Sequence, residues 1–170
     1  MFDETVLAAA RRVLESCRSR RLTIATAESC TGGLIIGALT EIAGSSDVVE
    51  RGFVTYSNEA KATMLGVPRD MIERHGAVSE LVARAMAEGA LVHSRADLAV
   101  SVTGVAGPGG GSTEKPIGLV HFGCAAKSVG VRHKERRFGD LGRTEIRRVS
   151  VLTALAFLEE MAAAASIQTA

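Results

Sequence analysis

The segment LTIATAESCTGGLIIGALTEI, Leu22 to Ile42, decides how this chain is read. Leu22 to Thr26 is a short apolar run of strand type, and GGLIIGALTEI has the makings of a buried helix packed closely through Gly33 and Gly37. Between them stand Glu28, Ser29, Cys30 and Thr31, four polar or reactive side chains for which a buried strand has no use. A strand that hands its chain straight to a helix begins a parallel βα unit, and ligands of such units collect where strands end.

The alternation continues on both sides. Asp3 can cap a helix over residues 3–19 that carries Val6, Ala9, Ala10, Val13, Leu14 and Cys17 on one face. Val48 to Tyr56 reads as a strand, after which Ser57 caps a short helix stopped near Gly66 and Pro68. A longer helix from Ser79 to about His93 has Leu81, Val82, Ala85, Met86 and Ala90 as its apolar stripe. DLAVSVT is a strand, residues 117–125 and 131–138 form a hairpin, and a helix over about 143–165 closes the chain. This order predicts one domain over residues 1–170 with a three-layer α/β/α architecture. Its sheet is expected to be largely parallel but mixed, with one late antiparallel hairpin. The three most polar features follow Thr26, Tyr56 and Val102, so the fold predicts one shared site at the carboxyl ends of the strands.

The totals narrow the function classes. Twenty basic and 19 acidic side chains leave a net charge of +1, which offers no footprint for nucleic acid or for an anionic membrane. Aromatic residues are 4% of the chain, with no Trp and one Tyr, so a base-stacking surface has little to be built from. Cys17, Cys30 and Cys124 are odd in number and lack C-x-x-C spacing. His75, His93, His121 and His133 show no ligand spacing, and no metal is expected. An acidic start and the lack of a membrane-length apolar run complete the expectation of a cytoplasmic protein.

Three constellations carry chemistry. If the helix begins near Cys30 or Thr31, Ser29 lies at its positive end, where free N–H groups stabilise an alkoxide or an oxyanion. From local sequence an N-cap serine and a nucleophile are both admissible; Cys30 competes as nucleophile or serves as buried filler, and Thr31 can cap equally well. In YSNEAK, Tyr56 ends the strand, and Asn58 and Lys61 share a helix face at i, i+3. A lysine there is either solvated or, if desolvated, a general base. In GVAGPGGGSTEKP, five glycines between Gly104 and Gly111 let backbone N–H groups approach an anion or a flat ring. The loop is neither a Walker A motif nor G-x-G-x-x-G, since Ser112 takes the third glycine position. In GRTEIRR, Arg143 or Arg147 could reach a phosphate.

Together TAESCTGGLI, VTYSNEAKATMLGV, AVSE and VTGVAGPGGGSTEKPIG closely resemble the C-terminal domain of the CinA (competence- and damage-inducible) family, from about residue 5 to residue 160. Characterised members of that family include nicotinamide mononucleotide deamidases, which release ammonia from the carboxamide. The resemblance implies an α/β/α domain with Ser29 as nucleophile, Lys61 as its base, and Tyr56 relaying a proton or orienting Lys61. It also implies that backbone groups around Cys30, Thr31 and Gly32 hold the oxyanion. Asn58, Thr103, the loop glycines Gly104, Gly107, Gly109 and Gly110, and Arg143 would then bind the nucleotide. No cofactor is implied, and the partner is the small-molecule nucleotide, with a homo-oligomer compatible. The family's Gly-Asp-Arg region stands here as GDLGR, Gly139 to Arg143, with Leu141 and Gly142 intervening. The length leaves no room for the N-terminal pyrophosphatase domain of longer members, so a stand-alone deamidase is expected. The rival expectation is a non-catalytic nucleotide- or partner-binding module of the same fold.

Overall fold

A computed structural model describes residues 2–165. Helix α1 (Glu4–Ser19) is capped by the Asp3 carboxylate, which accepts from the Val6 N–H, and buries the six residues the apolar stripe predicts. The chain continues through β1 (Ile24–Glu28), α2 (Leu34–Thr40), a 3-10 turn at Ser45–Asp47 and β2 (Val49–Val54). Next come α3 (Asn58–Leu65), α4 (Arg69–His75), α5 (Glu80–Val92) and β3 (Leu98–Gly104). Strands β4 (Leu119–Ala126) and β5 (Gly130–Arg137) precede the closing helix α6 (Arg143–Ala164).

The five strands lie in the order β2-β1-β3-β4-β5. β1 pairs parallel with both β2 and β3, whereas β4 is antiparallel to β3 and to β5. Only β4 runs against the others, and the late hairpin stands where the sequence places it. All five residues of β1 are buried, as expected of a strand covered on both faces. Alternation sorts them: Ile24 joins the layer of α1, α2 and α6, while Ala25 and Ala27 join that of α3, α4 and α5. Leu98, Val100 and Val102 of β3 face the first layer, and Ala99 faces the second. The architecture is α/β/α.

Several details differ from expectation. α4 buries only Ile72 and so presents no apolar stripe to read. Leu81 is exposed on the outward face of α5, and Val82, Ala83, Met86, Ala87 and Ala90 make the buried face instead. β2 ends at Val54, leaving Tyr56 beyond the strand.

Helices α3 and α5 touch through Gly89: a Cβ there would stand 2.0 Å from the Leu65 carbonyl oxygen, which is backbone and cannot step aside cheaply. Gly89→Ala is therefore expected to destabilise the fold by about 1–3 kcal/mol, measured by chemical denaturation. Turnover should fall too, since α3 carries Lys61.

Candidate active site

The strand order reverses around β1: the chain passes to β2 on one side through α2, then returns to β3 on the other side through α3–α5. The crevice at the carboxyl ends of β1 and β3 is thus a topological switch point, where open α/β sheets hold their ligands. Ser29 is the first residue beyond β1, and its N–H donates to Val102 O of β3. The glycine loop leaves the end of β3 at Gly104.

The turn between β1 and α2 is tighter and longer than the sequence suggests. α2 starts at Leu34, not near Cys30 or Thr31, and is preceded by left-handed Gly32 (φ +60°) and Gly33 (φ +96°). Ser29 is consequently no N-cap. The helix is capped from the strand side: the fully buried Glu28 carboxylate accepts from the N–H groups of Gly33, Ile35 and Ile36 at 2.9–3.1 Å, and from the Thr26 hydroxyl. The positive end of α2 is spent on that carboxylate. Gly32 N–H is also committed, to Ser29 O. The N–H groups of Cys30 and Thr31 donate to no backbone carbonyl among the described residues.

Lys61 enters from the opposite layer. Ser57 accepts from Ala60 N–H and starts α3, placing Lys61 one turn in with its side chain 1% exposed. Its Nζ lies 3.0 Å from Ser29 Oγ, 2.9 Å from Thr55 O and 3.2 Å from Tyr56 O. No carboxylate is among these partners. Burial disfavours the ammonium and lowers the lysine from 10.5 to about 8. As an ammonium, Lys61 donates to all three oxygens; once it loses a proton, two hydrogens remain for the carbonyls and a lone pair for the serine hydroxyl. Cys30 is different: burial raises its thiol to about 12, leaving it protonated and unreactive.

A cavity of about 270 Å³ opens beside this pair, bounded by Ser29, Cys30, Tyr56, Val78, the loop from Gly104 to Gly110, and Arg143. Arg143 crosses its mouth, donating Nη1 to Gly107 O at 2.9 Å and Nη2 to the exposed Tyr56 hydroxyl at 3.3 Å. The remaining residues named from the sequence stand further back. Thr103 is buried with its hydroxyl donating to Ala77 O, and Asn58 is exposed at the first turn of α3. Thr31 is buried and Gly32 exposed in the turn behind Ser29. Sequence reasoning named two further residues without the part they play in shaping this turn. Glu28 is one; Arg147, which donates to Cys30 O and Thr31 O at 3.1 Å each, is the other. The polar run in TAESC signalled the first, but no local signal marks a contact across 117 residues.

Among the described residues no three or more His, Cys, Asp or Glu gather as a metal ligand set. No helix there is long and apolar enough to cross a membrane.

Comparison with known proteins agrees with the architecture and adds its kin. The family described as the CinA C-terminal domain matches residues 7–162. The nicotinamide-nucleotide amidohydrolase PncC of Escherichia coli is 49% identical over 91% of this chain and 93% of its own length. A CinA-like protein of Synechococcus is 55% identical over 86% of this chain, which spans only 35% of that longer protein. The crystal structure of a competence/damage-inducible protein from Agrobacterium tumefaciens superposes with a TM-score of 0.93 at 56% identity, covering 95% of this chain and 98% of its own. With the match running through every strand and through the turn that carries Ser29, this chain belongs to the CinA C-terminal domain family.

Proposed function

We propose that this protein hydrolyses the carboxamide of nicotinamide mononucleotide to nicotinic acid mononucleotide and ammonia, with Ser29 as nucleophile and Lys61 as base. The observation that carries the reading is the buried Lys61 amine within 3.0 Å of Ser29 Oγ, held otherwise only by carbonyls. The substrate class is supported by the relative named for amide hydrolysis of nicotinamide nucleotides.

Neutral Lys61 takes the hydroxyl proton as Ser29 Oγ attacks the amide carbon. The tetrahedral oxyanion is received by backbone N–H groups of the Cys30–Thr31 turn. Lys61 then protonates the departing nitrogen, the C–N bond breaks, and ammonia leaves a nicotinoyl ester on Ser29. A water molecule deprotonated by the same amine attacks the ester, restoring Ser29 and releasing the carboxylate product. The glycine loop borders the cavity and receives the pyridine face or the ribose phosphate, and Arg143 at its mouth supplies the cation for the phosphate. Tyr56 lines the cavity, Asn58 stands exposed at the first turn of α3, and the Thr103 hydroxyl at the end of β3 donates to Ala77 O. Three buried free thiols suit a reducing cytoplasm.

The test is ammonia release by the purified protein from nicotinamide mononucleotide. Because the base acts unprotonated and titrates at about 8 in the free protein, kcat/KM is expected to climb about tenfold per pH unit below pH 7 and level off above pH 8. A rate independent of pH between 6 and 9 would remove Lys61 as the base, and no ammonia at any pH would remove the activity.

A further inference from the structure

Arg147 sits on the second turn of α6, half-buried and outside the cavity lining, yet it touches the nucleophile's turn twice. Its Nε donates to Cys30 O and its Nη2 to Thr31 O, both at 3.1 Å. These are the carbonyls of the two peptide units that follow Cys30. A peptide is planar and trans, so its C=O and N–H point in opposite directions. Drawing Cys30 O towards α6 therefore turns the N–H of Thr31 away from α6, and that N–H has no backbone acceptor among the described residues. Resting on the proposed serine chemistry, we infer that Arg147 is a positioning residue: it fixes the Cys30–Thr31 peptide so that the Thr31 N–H serves as an oxyanion donor.

Two further observations support this role. Apart from the Cys30 N–H, the neighbouring donors of the turn are already committed, Gly32 N–H to Ser29 O and the N–H groups of Gly33, Ile35 and Ile36 to Glu28. Left-handed Gly32 and Gly33 give the turn no side-chain stiffness of their own; Gly32 N–H to Ser29 O and Leu34 N–H to Thr31 O brace it from within, and Arg147 adds the hold on the Cys30 carbonyl. A guanidinium on a peptide oxygen also polarises that peptide and makes its N–H a stronger donor. Both effects act on the reacting centre while leaving the nucleotide's own contacts alone.

The experiment compares Arg147→Met, Arg147→Lys and Arg147→Ala with the parent protein. Arg147→Met is expected to lower kcat about 10²-fold with KM changed less than about threefold, the loss typical of one oxyanion donor. The pH midpoint near 8 should persist, because Lys61 is untouched. Arg147→Lys should recover only part of the rate, since one ammonium cannot fork across two carbonyls. Millimolar guanidinium should raise kcat of Arg147→Ala at least about fivefold. A raised KM with normal kcat would show that Arg147 binds substrate instead and would overturn the inference, as would unchanged kinetics or a folded alanine variant deaf to guanidinium. Labelling of Ser29 by a fluorophosphonate, which also passes through an oxyanion, separates this claim from the substrate assignment. If the parent is labelled but releases no ammonia, the substrate reading fails, while slower labelling of Arg147→Met would still support the positioning role and equal labelling would end it.

Discussion

Ser29→Ala is expected to cut ammonia release from nicotinamide mononucleotide by ~10³-fold or more, leaving only the residual rate that binding and an oxyanion cradle provide. The hydroxyl lies 3.0 Å from the Lys61 amine, and Ser29 lines the cavity. Its neighbour cannot substitute, because the Cys30 thiol is held protonated up to about pH 12 by burial. The fold should tolerate the change well: Ser29 is held mainly by its backbone, through its N–H to Val102 O and its carbonyl to Gly32 N–H. An unfolding midpoint close to the parent's, together with loss of a trappable acyl-enzyme, identifies the loss as chemical. An alanine variant with near-normal turnover would exclude the nucleophile assignment.

Lys61→Met is expected to abolish turnover to a similar extent while revealing what the burial costs. In the folded protein the amine titrates at about 8, against 10.5 for an ordinary lysine. Between those values the unfolded chain binds the extra proton, so stability rises with pH. The penalty is full below pH 8, amounts to about 3 kcal/mol, and vanishes as pH passes 10.5. Urea unfolding of the parent should therefore show stability increasing across pH 8 to 10.5, and Lys61→Met should lack that rise. A parallel pH dependence in the two proteins would mean that the amine is not desolvated. Lys61→Arg should not restore activity, because a guanidinium stays charged at every accessible pH.

The sequence yields the fold wherever one physical signal dominates. α1 is amphipathic on a single face, so its six buried residues are named correctly from spacing alone. β1 and β3 are short, mostly apolar runs, and their length and bounding turns identify them as central strands. The start of α2 is misread because its cap does not come from the expected side. The capping carboxylate belongs to the strand residue Glu28, and Gly32 and Gly33 absorb the turn with positive φ. Periodicity carries no mark of either. The meeting of Ser29 with Lys61 is likewise invisible to spacing, since 32 residues separate them in the chain. Only the combined resemblance of several segments suggests it. Arg147 shows the same limit more sharply, its partners being defined by backbone oxygens that any sequence would supply.

The two carbonyls that hold the Lys61 amine are main-chain groups of Thr55 and Tyr56. Their grip on the base does not depend on which side chains those positions carry. The exposed Tyr56 ring, by contrast, stands at the rim with Arg143 and the loop. On the proposed chemistry, proton handling and selection of the incoming molecule are thus mechanically decoupled within two adjacent residues, so mutational drift at the rim can retune which amides are admitted without retuning the reactive amine.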